Sequence, residues 1–233
     1  MTTAQILQKA RQEKRQVLTE IEAKQILGEA GIPCTQTVLA PTREKAVSIA
    51  EELGYPVVLK VSSVDISHKS DAGGVKVNLK SRKEVEEAFE AIMKSCRAYD
   101  PKAEIEGVSV QPMARPGTEI IMGMIKDKSF GPVVMFGLGG IFVEVLKDVS
   151  FRIVPIDKED AVQMMEEIQG KKLLGGYRGK EAADKEMLQK MLVKLSDFVN
   201  ATPGIEEIDM NPVFAYSEGA AVVDARIILS SEE

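Results

Sequence analysis

The chain has 233 residues, is 44% hydrophobic, and carries a formal net charge of −6 with a pI near 5.2. This describes a globular protein able to bury a substantial core, and an acidic chain is not built to attract nucleic acid or anionic lipid over its whole surface. Two cysteines cannot form a disulfide framework, the charged amino terminus is unlike a secretory signal, and no stretch approaches a membrane-spanning length, so we expect a cytoplasmic protein with reduced cysteines.

The first half of the chain alternates helices with short strands. A capping box formed by Thr19 and Glu22 predicts the start of a helix that ends near Gly31, and Ser81 with Glu84 predicts a second start. Apolar spacing then gives the other elements. They are a strand near 35–39, a helix over 42–53, strands over 55–61 and 75–79, and a helix from 81 to about 97.

The second half changes to successive strands with little helix between them. The strand segments are GVSVQPM, TEIIMGMI, PVVMFG, IFVEVL and FRIVPI, followed by helices near 158–168 and 181–199 and a closing hairpin, EIDMNPVFAY with AAVVDARIIL. The chain therefore predicts an α+β protein of two lobes. We expect an amino-terminal helix over 1–18, a first lobe over 19–106 and a mainly antiparallel second lobe over 107–233.

Common nucleotide-binding loops are absent, because GLGGIF lacks the third glycine of a dinucleotide loop and no glycine-rich run ends in Gly-Lys-Ser/Thr. Lys60 instead emerges from a strand whose neighbours are all apolar. It is either a lysine that extends its ammonium to solvent from a strand edge or a point cation for nucleotide phosphates.

The loop SSVDISHKSDAGG contains His68, the only histidine of the chain. A loop histidine is either an exposed bystander or, near neutral pH, a nucleophile towards phosphorus that a mobile loop can carry between places. Gly73 and Gly74 end this loop, where they either form a plain turn or let backbone amides approach a phosphate.

The segment VQPMARPGTEI places Gln111, Pro112 and Met113 at the end of one strand and Glu119 at the start of the next. It is either an ordinary β-turn or a hinge between lobes. A hinge can offer backbone groups to an adenine edge, while Glu119 can accept ribose hydroxyls.

The carboxyl-terminal hairpin has alternating polar residues. Glu207, Asp209 and Asn211 share one face of a strand, and Asp224 lies in the returning strand among apolar neighbours. This face either points to solvent or supplies oxygen ligands that suit Mg²⁺. An unpaired carboxylate in the apolar setting of Asp224 would be costly, which favours a site.

Three further charged residues carry less information. Glu144 and Arg152 lie on adjacent predicted strands and can form a cross-strand ion pair, and Arg178 is a possible anion contact.

Together, YPVVLKVSS, DAGGVKV, VQPM with GTEI, and EIDMNPV with VVDARI resemble the ATP-grasp subunit of the ADP-forming acetyl-CoA synthetases, from about Leu18 to Leu229. The chain is also similar to the amino-terminal part of the succinyl-CoA synthetase β subunit, which has no histidine that we can match to His68. The resemblance implies an ATP-grasp fold with the nucleotide clamped between two lobes.

The resemblance also implies residue roles. Lys60 would contact nucleotide phosphates, residues 111–113 would meet the adenine, Glu119 would hold the ribose, and Asn211 with Asp224 would hold Mg²⁺. A CoA-binding α subunit, in an α2β2 heterotetramer, would form an acyl phosphate and a first phosphohistidine. His68 would then pass the phosphoryl group to ADP, giving ATP, while Asp209 orients the imidazole.

Two alternatives stay open. An ATP-grasp ligase could form its acyl phosphate directly on the nucleotide, with His68 incidental, or a nucleotide-sensing module could bind ATP or ADP without chemistry.

Overall fold

The computed structural model describes residues 1–66, 68–140, 147–176 and 181–231. Contacts divide the chain into two compact units, Thr35–Arg115 and a larger unit formed by Met1–Cys34 with Pro116–Glu233. Both contain helices and antiparallel sheet, so the predicted α+β class is confirmed. The predicted strand IFVEVL lies outside the described residues.

The smaller unit is a four-stranded antiparallel sheet with two helices. Its sheet order is β1-β4-β2-β3. The elements are β1 (Val38–Ala40), α3 (Arg43–Leu53), β2 (Val57–Ser62), β3 (Val75–Leu79), α4 (Arg82–Tyr99) and β4 (Gly107–Pro112). Alternate residues of β2 and β4 join the helices in one apolar core that includes Val57, Leu59, Val108 and Val110.

The larger unit holds a six-stranded antiparallel sheet of order β10-β8-β5-β6-β7, with β9 paired to β8. Its strands are β5 (Thr118–Asp127), β6 (Gly131–Leu138), β7 (Val149–Ile153), β8 (Ile205–Ala215), β9 (Ala220–Val222) and β10 (Ala225–Leu229). Its helices are α1 (Thr3–Gln12), α2 (Glu20–Glu29), α5 (Lys158–Glu167) and α6 (Lys185–Ala201), with a 3-10 helix over Gln169–Gly175.

Local start signals explain several helix bounds. Thr19 accepts the Glu22 N–H at 3.3 Å while the Glu22 carboxylate accepts the Thr19 N–H at 2.9 Å, which is the predicted capping box. Ser81 also accepts the Glu84 N–H, but the Glu84 carboxylate accepts the Lys80 N–H rather than that of Ser81. The second signal is therefore a simple serine cap with a displaced carboxylate.

The boundaries of the two compact units differ from those predicted for the lobes. Strand β4 lies between β1 and β2 and completes the smaller sheet, so residues 107–115 belong with the first half of the chain. Helices α1 and α2 pack into the core of the larger unit through Ile6, Ala10, Ile26 and Leu27. Residues 1–34 therefore belong with the second half, and the segment over 1–18 is no separate domain.

Candidate functional site

The His68 side chain is exposed, but the chain on both sides of it is anchored within the smaller unit. Ile66 is 1% exposed and belongs to the apolar core. Just before it, the Asp65 carboxylate accepts the Glu104 N–H at 2.8 Å. His68 therefore lies two residues after the buried Ile66.

A compact turn follows His68 and returns the chain to the sheet. The Ala72 N–H donates to the His68 carbonyl at 3.2 Å, and the Gly74 N–H donates to the Lys69 carbonyl at 2.7 Å. The Gly74 carbonyl then accepts the Val61 N–H at 2.7 Å, which joins the turn to β2. The position of His68 therefore depends on how this turn packs.

Both predicted glycines are explained by that packing. Gly73 has φ +67°, where a side chain is strained. A Cβ on Gly74 would lie 2.6 Å from Val61 Cγ1 and 2.9 Å from the Lys69 carbonyl oxygen. In this conformation both glycine N–H groups are donated within the turn, and a phosphate contact from them stays a prediction.

Lys60 lies in a row of buried polar residues on the sheet face opposite the apolar core of the smaller unit. Its Cα pairs with that of Ser109, and Val58 pairs with Gln111. Lys60 is 6% exposed and Gln111 1% exposed. The Ser109 hydroxyl donates to the Lys60 carbonyl at 3.4 Å. This face of the smaller sheet is therefore polar, unlike the face that packs against the helices.

The segment predicted to meet adenine ends strand β4. The Gln111 carbonyl Oε1 accepts the Thr37 hydroxyl at 3.2 Å, and the Met113 N–H donates to the Pro56 carbonyl at 2.9 Å. Pro112 pairs with Val57, whereas the Met113 side chain is exposed. The boundary between the compact units follows closely, after Arg115.

Glu119 lies at the start of β5 in the larger unit, against the GLGG turn. Its carbonyl accepts the Gly139 N–H at 2.8 Å. A Cβ on Gly140, which has φ +59°, would lie 2.8 Å from Glu119 Oε2. The GLGG turn, which fails as a dinucleotide loop, therefore lies directly against the Glu119 side chain and backbone.

The predicted alternation on β8 is found. Ile208 and Met210 face the apolar core, while Glu207, Asp209 and Asn211 take the other face. At Asn211 and Pro212 the strand bulges, because two residues of β8 there oppose one residue of β5. A bulge re-aims side chains, and bulges are common beside active sites; here it leaves Asn211 exposed.

Asp224 was expected within a continuous returning strand, and that expectation is wrong. It lies in the break between β9 and β10, where its carbonyl accepts the Asn211 N–H at 3.2 Å. The break matches the bulge in β8, since Pro212 has no N–H to donate to a regular ladder. The structure thus brings Asp209, Asn211 and Asp224 together at one irregular point of the sheet.

The charges around Asp209 act in opposite directions. Burial raises the pKa of Asp209, Arg226 lowers it, and the carboxylates of Glu207 and Asp224 raise it, with a net upward shift. Perturbed carboxyl groups of this kind are concentrated at functional sites.

Comparison with known proteins agrees with these features. The ATP-grasp domain model matches residues 9–229. The chain is 51% identical to the acetate–CoA ligase [ADP-forming] I subunit beta of Pyrococcus furiosus, over 97% of each protein. The chain belongs to the ATP-grasp family of ADP-forming acetate–CoA ligase β subunits. The resemblance stated from the sequence is confirmed.

Solved structures place this ATP-grasp chain in the same group. It superposes with a TM-score of 0.96 and 47% identity on acetyl-coenzyme A synthetase 1 of Ca. Korarchaeum cryptofilum in complex with coenzyme A, Ca-AMPCP and HgCl+, covering 98% of this chain and 100% of that one. Another structure of that enzyme, with Mg-AMPPCP, has its phosphohistidine segment pointing towards the nucleotide binding site, at a TM-score of 0.86 and 44% identity, covering 98% of this chain and 100% of that one.

The same ATP-grasp unit also occurs inside longer chains. This chain is 46% identical to acetate–CoA ligase [ADP-forming] II of Archaeoglobus fulgidus over 93% of its own length, which is 31% of that protein. The unit therefore exists in relatives both as a whole subunit and as about a third of a single chain.

Arg226 of this ATP-grasp chain was missed by the sequence reasoning. Its Cα pairs with that of Asp209, and its guanidinium binds Glu207. Among the described residues, its Nε–H is a buried donor without a hydrogen-bond partner. The available signal was spacing: Arg226 follows Asp224 by two positions in VVDARI, and alternate residues of a strand share a face.

Of the three other charged residues singled out from the sequence, the structure describes only Arg152. Arg152 forms two hydrogen bonds with Glu167 of α5, which gives it a structural partner on the helical side of the sheet. Glu144 and Arg178 lie outside the described residues.

The side chains predicted to bind Mg²⁺ are Asn211 and Asp224. The described residues contain no group of three or more His, Cys, Asp or Glu that could hold a metal ion. Mg²⁺ does not need such a cage, because it is usually bound through one or two carboxylates, substrate phosphates and water. The half-buried Asp224 and the exposed Asn211, joined through one backbone hydrogen bond, fit a Mg²⁺ held together with a nucleotide.

Along the described parts of the chain, no helix is long and apolar enough to cross a membrane.

Proposed function

We propose that this chain is the nucleotide-binding subunit of an ADP-forming acyl-CoA synthetase and completes the reaction acyl-CoA + ADP + phosphate → acid + ATP + CoA. The observation that carries the proposal is the placement of His68. The single histidine of the chain is exposed at the head of a packed turn, in a family where a solved relative has a phosphohistidine segment.

The proposed step is a phosphoryl transfer from His68 to ADP. The bond between phosphorus and the imidazole nitrogen breaks, and a bond from phosphorus to a terminal phosphate oxygen of ADP forms. The electron pair of the broken bond returns to the imidazole. A carboxylate that accepts the other ring N–H favours this transfer, because it fixes the tautomer and stabilises the cationic phosphoimidazole. We assign this role to Asp209.

The raised pKa of Asp209 is consistent with that role. A buried carboxylate has lost the hydration that stabilises its negative charge. A cationic imidazole beside Asp209 would therefore stabilise that charge more than a cation beside an exposed carboxylate would. Arg226 acts in the opposite direction to burial and lowers the pKa of the same group.

Nucleotide recognition is assigned residue by residue. We propose that Lys60 neutralises phosphate oxygens, that Gln111, Pro112 and Met113 meet the adenine, and that Glu119 accepts the ribose hydroxyls. Asn211 and Asp224 would hold Mg²⁺. When bound, that ion supplies positive charge to the phosphate oxygens.

The acyl chemistry requires a second component. Relatives of full matching length are named β subunits, which supports an α subunit that binds CoA and forms the acyl phosphate. We propose an α2β2 assembly in the cytoplasm. Cys34 and Cys96 are free thiols, as expected in a reducing compartment.

The test is incubation of the purified chain with γ-³²P-ATP and Mg²⁺, followed by peptide mapping of acid-labile label. We expect label on His68 and none in His68→Ala. In Asp209→Asn the labelling rate should fall on the order of 10²–10⁴-fold, the range for removing a general acid–base or orienting group. Nucleotide binding without label would support a sensing module. Full ligase activity of His68→Ala with the α subunit would support a ligase without relay.

A further inference from the structure

The face of the larger sheet that points away from its helices has an apolar part that the proposed chemistry does not use. In β5, β6 and β7 the residues on this face include Ile125, Val133, Met135, Phe151 and Ile153, which we call the apolar face. Ile125, Phe151 and Ile153 are each about half exposed, at 50%, 48% and 52%. Phe130, in the β5–β6 turn, is 64% exposed.

Strand register shows that these side chains are contiguous. Ile125, Val133 and Ile153 are consecutive partners across three strands, and Met135 pairs with Phe151 in the next row. Side chains directly opposite on neighbouring strands lie about 5 Å apart. Soluble monomers rarely expose apolar patches of more than a few hundred Å², and larger ones mark interaction sites.

The apolar face is continuous with the proposed phosphoryl-transfer residues. One row crosses five strands in the order Arg226, Asp209, Gly123, Met135, Phe151. With strands about 4.8 Å apart, Met135 lies roughly 10 Å from Asp209 and Phe151 roughly 15 Å. Whatever covers the apolar face is therefore a neighbour of the reaction.

We infer that the apolar face binds the CoA-binding subunit of the enzyme. This inference rests on the proposed function, which requires such a subunit. In the Archaeoglobus relative the matching unit is covalently joined to the other two thirds of the protein, whereas in the Pyrococcus relative the match covers 97% of a separate β subunit. A separate subunit must replace the covalent link by non-covalent contact, and permanent interfaces are the most apolar class.

The composition of the surface fits a permanent interface. Its centre contains isoleucine, valine, methionine and phenylalanine without a charge, and the flanking positions on the same face are Asp127 in β5 and the Glu207–Arg226 ion pair. An uncharged centre with aromatic and methionine side chains and a polar rim is the usual anatomy of such interfaces.

The test uses the complete chain and its cognate CoA-binding subunit, purified separately. Phe151→Glu/Ile153→Glu should raise the Kd for the subunit at least roughly 100-fold, as expected when central apolar contacts are lost. The matched control is Val162→Glu, a 44% exposed apolar residue on α5, which should change the Kd by less than about threefold. Because folding of the double variant can be questioned, Phe151→Ser alone and the hydrogen-exchange protection of 118–138 on subunit binding are measured as well.

The outcomes separate this inference from the proposed function. Labelling of His68 by ATP should be the same in the apolar-face variants and the parent, since it needs no partner. Unchanged subunit affinity in both variants, or protection confined to other segments, would overturn the inference. So would a self-association of the isolated chain that only these variants abolish, because the face would then bind a second copy. Absence of label from His68 in the parent would instead refute the proposed function.

Discussion

Replacement of Gly74 by alanine should displace the turn that carries His68. The new Cβ would lie 2.6 Å from Val61 Cγ1, 2.9 Å from the Lys69 carbonyl oxygen and 3.1 Å from Cys96 Sγ. Real Cβ atoms essentially never approach other heavy atoms within 3.0 Å, and two of these neighbours belong to β2 and to the turn itself. Either the turn moves or β2 does.

We expect a local loss of about 1–3 kcal/mol, the usual cost of one extra methyl group in a packed site. The hydrogen bonds most affected are Val61 N–H to the Gly74 carbonyl and Gly74 N–H to the Lys69 carbonyl. Because the turn also positions His68, phosphorylation of His68 by ATP should slow in the same variant, by roughly tenfold or more.

Amide hydrogen exchange measures the loss, because it reports opening segment by segment. Protection of 57–62 should fall in Gly74→Ala, while protection of 205–215 in the larger unit stays unchanged. Gly28→Ala is the matched control, since its Cβ would meet nothing within 4 Å and alanine favours helix. Adding Val61→Ala to Gly74→Ala should restore part of the protection. Unaltered exchange in 57–62, together with normal His68 labelling, would refute the steric reasoning.

Three further outcomes are expected. Gly140→Ala should raise the KM for ADP more than it lowers kcat, because its Cβ would displace the Glu119 carboxylate; equal KM values would count against Glu119 as a ribose contact. Burial raises the pKa of Glu22, but hydrogen bonds from the Arg15 guanidinium and from Thr19 outweigh that effect, so the pKa is lowered overall. Its contribution to stability is therefore present above its ordinary value of 4.5 and lost as pH falls through the lower folded value, so urea titrations of Glu22→Gln and the parent should converge in acid. Burial raises the pKa of Cys34 to about 11 and also raises that of Cys96, so iodoacetamide at pH 8 should label either thiol only after unfolding.

Much of the secondary structure could be predicted because its signals are local. The strand over 75–79 was placed at its observed bounds, and the predicted helix over 42–53 differs by one residue at its start. Strand order is not local. Nothing in GVSVQPM indicates that β4 pairs between β1 and β2 rather than with the strand that follows it, so the division into units could not be read from the chain.

The site was predictable where chemistry and spacing coincide. Asp209 and Asn211 follow from alternation along a strand, whereas the break at Asp224 depends on a bulge forced by Pro212. Gly73 and Gly74 were singled out for the right positions, yet their packing against Val61 and α4 is a tertiary property. The assigned roles of these residues stay predictions until the labelling and binding experiments are made.

The apolar face shows what a strand pattern can and cannot reveal. TEIIMGMI has apolar residues at both parities, which is typical of a strand buried on both sides. In the structure Ile120, Met122 and Met124 face the helices, but Ile125 on the other parity is half exposed. The same holds for Phe151 and Ile153 in β7, whose neighbour Ser150 is buried and bonded to the Met164 carbonyl of α5. The apolar residues on this side of the sheet are buried at Ile121 but exposed at Ile125, Phe151 and Ile153. A partner subunit that packs against the exposed ones would bury them and accounts for the sequence pattern.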